Sequence, residues 1–301
     1  MPEFEKSHKA HSSWYDSKYK TEEDKLEAIK QWRKDQENNT VNYWLQERYM
    51  NLIDPFIRDK HTWLTVGDPY GFDAHYLIDK KQDVVASDIA NTFFPLVKKE
   101  GIITEYAVEN AENLSFQDSS FDYILCKESY HHFPRPYLAI YEMIRVAKEA
   151  VILIEPQDPV AKIPLLLLLC NLADRINPKL VQKIWKNRYS FEVVGNYVFK
   201  LSEREIDKLA NGIGLPAVAF KGINNNFYNP SIIDEKANNS STVFKKLKRK
   251  LRFRNLLTKL TIISPDVLCA VIFKIQPSPE IISSLKNQGF TFHSFPHNPY
   301  L

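Results

Sequence analysis

The sequence predicts an α/β domain in which helices cover both faces of a doubly wound, mostly parallel sheet of seven strands. Three observations support that class. Seven short apolar runs of strand length recur along the 301 residues, helical segments separate them, and the composition, 44% hydrophobic and 26% charged, is that of a globular chain.

The elements follow in order. Residues 21–38 carry Leu26, Ile29 and Trp32 at helical spacing, and residues 41–57 carry Trp44, Leu45, Tyr49 and Leu52, so two N-terminal helices are expected. The period then changes. Strands are expected at 63–66, 84–87, 106–108, 123–126 and 151–154, with helices over 72–78, 91–99 and 136–148 between them; Pro136 suits a first helical turn. Past Glu155 the rhythm breaks through Pro156, Pro159, Pro164 and Pro178, although the run 163–169 reads as a helix of an acceptor-side cap. Ser202 and Glu205 then spell a capping box, and a helix through Ile206, Leu209 and Ala210 stops near Gly212 and Gly214. The last two strands are read at 217–220 and 267–275. The expected organisation is an N-terminal helical cap (1–60), a main domain (61–276) with insertions at about 157–200 and 224–266, and a tail (277–301).

Composition excludes several functions. Cys126, Cys170 and Cys269 stand far apart, which rules out a disulfide framework and a CxxC metal knuckle, and no metal site is read from the sequence. The first residues carry no apolar leader, and the longest apolar run, 163–170, is far short of the roughly 20 residues of a membrane span. A cytoplasmic protein is expected. The net charge of +3 hides an asymmetry, because residues 236–259 hold nine Lys or Arg and no acid, leaving −6 for the rest. Within that segment Phe244, Leu247 and Leu251 form one helical stripe, and Phe253, Leu256, Leu257 and Leu260 a second. Residues 244–260 are therefore expected to touch an anionic membrane at its inner face. No aromatic stacking pattern interleaves the charges, which argues against nucleic acid as a partner.

The chemistry is read from three blocks. The first strand ends in Thr65-Val66-Gly67-Asp68-Pro69-Tyr70-Gly71 and enters a helix. Its glycines let backbone approach a ligand, and the helix start offers unpaired N–H groups to a carboxylate or phosphate. The second strand ends at Asp88, 21 residues beyond Gly67, where an acid receives the hydroxyls of a ribose. The third block runs from Glu109-Asn110-Ala111-Glu112-Asn113-Leu114 through Ser120-Phe121-Asp122-Tyr123 to Tyr130-His131-His132-Phe133, and the strand after it ends in Glu155-Pro156.

In order and spacing, residues 62–160 resemble the class I S-adenosylmethionine-dependent methyltransferases. That resemblance implies a Rossmann-like sheet whose last strand enters antiparallel, S-adenosylmethionine as cofactor, and a small-molecule or glycan acceptor. Carried over by position, it implies that Gly67, Asp68 and Gly71 face the methionine part, Asp88 and Ile89 the ribose, and Asn110, Ala111 and Glu112 the adenine. Lys127 borders the place where the acceptor enters. His131 and His132, at the carboxyl edge of the sheet, are the candidate catalytic bases for a hydroxyl acceptor. The N-terminal aromatics Trp14, Tyr15, Trp32, Tyr43 and Trp44 resemble a lid over the cofactor. The segments Gly195 to Phe199, Ser202 to Glu205 and Leu215 to Gly222 are similar to a subgroup from bacterial surface-polysaccharide loci. Thr65, Asp68 and Pro69 depart from the family pattern, and a cofactor-binding pseudoenzyme is the alternative they raise.

Overall fold

The computed structural model describes residues 3–160, 162–185, 190–297, 299 and 300. Three helices lead: α1 (Glu3–Lys18), α2 (Glu22–Asn38) and α3 (Val41–Met50). Thr21 starts α2 with a capping box in which its side chain takes the Asp24 N–H and Asp24 takes the Thr21 N–H. The helix expected over 41–57 changes to a 3₁₀ turn, Asn51–Phe56, because Pro55 can neither donate nor accommodate the preceding carbonyl.

The sheet units follow: β1 (Thr62–Val66), α4 (Phe72–Asp79), β2 (Asp83–Asp88), α5 (Phe94–Lys99), β3 (Glu105–Val108), β4 (Phe121–Lys127), α6 (Pro136–Val146) and β5 (Ala147–Pro156). Next come α7 (Pro164–Ile176), α8 (Pro178–Ile184), α9 (Glu203–Gly212), β6 (Ala217–Ile223), α10 (Thr242–Lys259), β7 (Val267–Phe273), α11 (Pro279–Asn287) and β8 (Thr291–Ser294). The spatial order is β3-β2-β1-β4-β5-β7-β6-β8. β1 to β5 pair in parallel, and β7 lies antiparallel between β5 and β6. The seven expected strands are present. An eighth, β8 from the tail, adds antiparallel to β6.

Along the central strands the side chains alternate between two cores. Trp63, Tyr123, Leu125, Ile152 and Ile154 pack on one face with α2, α4 and α5; Leu64, Ile124, Cys126, Val151 and Leu153 pack on the other with α6 and α9. With both faces covered, β7 is buried at every position, which explains its unbroken apolar sequence. Prolines 164 and 178, which break the sequence rhythm, stand at the first turns of α7 and α8, where a missing N–H costs nothing. Of the leucine run in α7, Leu165, Leu167, Leu168 and Leu169 are exposed, while Cys170 and Ala173 pack against Val181. The insertion helix α10 buries its first stripe, Phe244, Leu247 and Leu251, against Val41, Leu45 and Phe227. Its second stripe stays out, with Phe253, Leu256 and Leu260 all exposed.

Candidate active site

A pocket of about 590 Å³ opens at the carboxyl ends of β1, β2 and β4, beneath α1. That is the crevice where open α/β sheets take ligands. Gly67, Asp88, Ile89, Asn110, Ala111 and His132 stand on its wall. Asp68, Gly71, Glu112, Lys127 and His131 are not among the described residues that line it.

The wall is shaped by backbone. Gly67 has φ +72°, and a Cβ there would overlap the side chain of Ser129, whose hydroxyl donates to the Gly67 carbonyl at 2.5 Å. Gly71, at φ +68°, would bring a Cβ within 2.7 Å of Ile103 Cγ2, so it serves the packing of the turn.

Asp68 corrects the expectation of free N–H groups at the start of α4. Its carboxylate is buried and accepts the Ala74 N–H at 2.9 Å, the Asp73 N–H at 3.4 Å and the Thr65 hydroxyl at 3.0 Å. The helix start is satisfied from within. Burial raises the Asp68 pKa, and the Asp73 carboxylate raises it further.

Asp88 ends β2 and accepts the Ala90 N–H at 2.7 Å. Burial pushes its pKa up to about 7 against the pull of that bond. Tyr15 of α1 shares the pocket, and its phenol pKa is raised by burial first and by the Asp88 charge second. Glu112 lies behind Ala111, where it accepts from Arg135 N and Nε at 2.7 Å each and sits 3.1 Å from His8 Nε2. Lys127 pairs with Asp73 at 3.2 Å and reaches Gln46 at 3.2 Å, on the α3 side of the turn.

The two histidines divide their places. His131 Nδ1 lies 2.6 Å from Glu155 Oε2; the fully buried Glu155 also accepts the Ser129 and Tyr130 N–H groups at 2.8 Å each. Burial pulls the His131 pKa down, but the Glu155 bond and charge carry it above the ordinary histidine value. His132 faces the pocket, its Nδ1 2.5 Å from Glu192 Oε2 and its ring 4.0 Å from that of His131. Glu128, next in line, holds a left-handed backbone at φ 52°. Its Oε1 is buried without a hydrogen-bond partner among the described residues. Burial raises its pKa to about 7.

Sequence reasoning missed His8, His11 and Glu192. His8, His11 and Tyr15 fall at i, i+3 and i+7, one face of a helix, which is a readable signal once residues 3–18 are taken as helical. Glu192 has none, because it comes from a loop.

A methyltransferase-domain family model matches residues 64–154. The fold is similar to that of the Burkholderia thailandensis 1,6-didemethyltoxoflavin N1-methyltransferase, solved with 1,6-didemethyltoxoflavin and S-adenosylhomocysteine bound, at 11% identity and TM-score 0.50, covering 89% of this chain and 88% of that one. A SAM-dependent methyltransferase of Methanosarcina mazei aligns at 18% identity and TM-score 0.46, covering 75% and 98%. The Haloferax volcanii protein in complex with the Trm112 methyltransferase activator aligns at 13% identity and TM-score 0.49, covering 79% and 91%. A comparison with curated proteins found no match. Residues 64–154 thus match a methyltransferase domain, and its cofactor is S-adenosylmethionine. Asp88 stands on the pocket wall beside Ile89, Asn110 and Ala111, and its carboxyl could accept the hydroxyls of that cofactor's ribose.

Proposed function

We propose that this chain methylates a hydroxyl of a sugar or glycan acceptor in surface-polysaccharide biosynthesis. The observation that carries the reading is the convergence of Gly67, Asp88 and His132 on one pocket wall. In this account Asp88, beside Ile89, accepts from the ribose hydroxyls, and Asn110 and Ala111 border the adenine. The Gly67 turn receives the methionine part. Asp68 and Gly71 hold that turn, Glu112 fixes His8 and Arg135, and Lys127 braces Asp73 from behind.

When bound, S-adenosylmethionine supplies a methyl group on a positively charged sulfur, so no leaving group needs a proton. The protein's part is then orientation, worth roughly 7 to 11 kcal/mol, and removal of the acceptor's proton. Glu192 accepts the His132 Nδ1–H, which leaves Nε2 of that ring as the proton acceptor. His131, fastened to Glu155, is the second base of the account. The sugar acceptor is supported by the resemblance of the segments around Gly195, Ser202 and Leu215. The basic helix α10 supports an acceptor carried on an anionic lipid diphosphate. No helix of the described residues is long and apolar enough to cross a membrane, so such a contact is peripheral.

Transfer of labelled methyl groups to a panel of nucleotide-linked and lipid-diphosphate-linked sugars tests the acceptor. His132→Ala lowers turnover at least about tenfold while cofactor affinity stays within about twofold. Full rates in both His131→Ala and His132→Ala eliminate an imidazole base. A second reading, a cofactor-binding pseudoenzyme in a biosynthetic complex, is favoured by the capping role of Asp68 and the donor lost at Pro69. It predicts cofactor binding with no transfer to any acceptor.

A further inference from the structure

We propose that His11, His132 and Glu192 form a site for a divalent transition-metal ion, zinc in the first instance, that clasps the N-terminal helix and the insertion loop to the sheet beside the acceptor end of the pocket. No metal was expected from the sequence, because the three residues come from segments that only the fold brings together: α1, the turn after β4, and the loop before α9. One ligand atom from each lies within 4.8 Å of the other two. Ligand atoms around tetrahedral zinc are about 3.3 Å apart, given bonds of about 2.0 to 2.2 Å. Small side-chain rotations close the difference. His132 Nδ1 and Glu192 Oε2, hydrogen-bonded at 2.5 Å, would part to about 3.3 Å to admit the ion, and the His11 and His132 ring centroids are 5.6 Å apart.

The donor set decides the metal. Two imidazoles and one carboxylate suit zinc and its neighbours in the first transition row, whereas magnesium and calcium select all-oxygen sets. Three protein ligands also leave a coordination position open. Both histidines also line the pocket. Asn196 supports the set from behind. It is buried, its Oδ1 lies 3.1 Å from His11 Nε2, and its Nδ2 donates to the His131 carbonyl at 3.2 Å. Its side chain also bonds Glu192. Outer partners of this kind fix the orientation of metal ligands.

The role of the site rests on the methyl-transfer reading, since the open position matters only if an acceptor hydroxyl enters there. Metal on His132 and its use as a proton acceptor exclude one another. A loaded site lowers the pKa of the bound hydroxyl directly, in place of the imidazole.

The test uses the full chain stripped with a chelator and titrated with zinc chloride against a chromophoric competitor, with cobalt chloride as a spectroscopic probe. One equivalent of zinc is expected, with visible cobalt bands of a four- or five-coordinate centre. The melting midpoint should rise by about 5 °C when zinc stands about 100-fold above its Kd. Affinity should fall at least about 100-fold in His11→Ala and in Glu192→Gln, and about tenfold in Asn196→Ala. His293→Ala, on β8 and paired with Asp207, should match the wild type. No stoichiometric zinc in the wild type, or equal zinc affinity in His11→Ala, Glu192→Gln and the wild type, overturns the site. S-adenosylmethionine binding, measured on the same protein, separates the two claims: cofactor bound without zinc overturns the metal site alone, and zinc bound without cofactor overturns the methyl-transfer reading alone.

Discussion

Asp88 concentrates the conflict between stability and binding in one side chain. Its carboxyl is held near the end of β2 with a pKa of about 7, so at neutral pH much of the apoprotein carries it protonated. Ribose hydroxyls need the ionised form as acceptor. Cofactor affinity is therefore expected to rise with pH through about 7, and Asp88→Asn to weaken binding about tenfold or more while raising the apoprotein's melting midpoint at pH 8. Calorimetry at pH 6 and 8 and thermal melts of the two proteins check both halves; unchanged affinity in the variant removes Asp88 from the site. Glu155 gives a second residue-scale expectation. In Glu155→Gln the charge beside His131 is lost while the ring stays buried, so the His131 pKa should fall, as read by NMR titration. An unmoved His131 titration contradicts the pairing. Spacing alone made Gly67 and Asp88 legible, because strand ends and glycine turns are local features. The inward role of Asp68 was not legible, since whether a carboxylate caps a helix or meets a ligand depends on which way the turn faces.

At the scale of elements, the helix α10 carries the boldest claim. Packing against α3 uses its first apolar stripe, which leaves Phe253, Leu256 and Leu260 on the outside with the basic side chains Lys245, Lys246 and Arg249 also exposed. Near an anionic surface each engaged basic residue contributes about 1 kcal/mol. The chain should sediment with anionic vesicles at low salt and release as salt rises, and the binding should vanish when Lys245, Lys246, Lys248 and Arg249 are changed to Ser. Absence of wild-type sedimentation at low salt makes α10 a surface helix only. This element was readable because its two stripes repeat at helical spacing. By contrast α1 was missed, since Phe4, Trp14 and Tyr15 are thinly spread among polar residues and give no continuous stripe; α11 and β8 are too short for periodicity to speak, and β8 exists because β6 offers it an edge.

For the whole molecule, several buried groups push stability in one direction. Asp88 and Glu128, both raised to about 7, bind protons more tightly folded than unfolded, so their contributions are lost as pH climbs from about 4 to 7. His131, also raised, contributes fully below its unfolded pKa and loses that contribution as pH rises through the folded value. Glu142 and Glu192, held low by Arg145 and His132, contribute above about pH 4 and fail below it. The apoprotein's melting midpoint should therefore peak near pH 5 and decline towards pH 8, and cofactor at pH 8 should recover part of the loss. A profile that rises from pH 5 to 8 contradicts these assignments. The parallel core of the sheet was legible because buried strands write their period into the sequence, whereas the pocket's roof and the Glu192 loop depend on contacts across the chain. The most direct test of the account is titration calorimetry of the full chain with S-adenosylmethionine and with S-adenosylhomocysteine, beside Asp88→Asn. The account predicts one site for both compounds in the wild type and affinity at least about tenfold weaker in the variant; no measurable binding by the wild type, or equal binding by the two proteins, would contradict it.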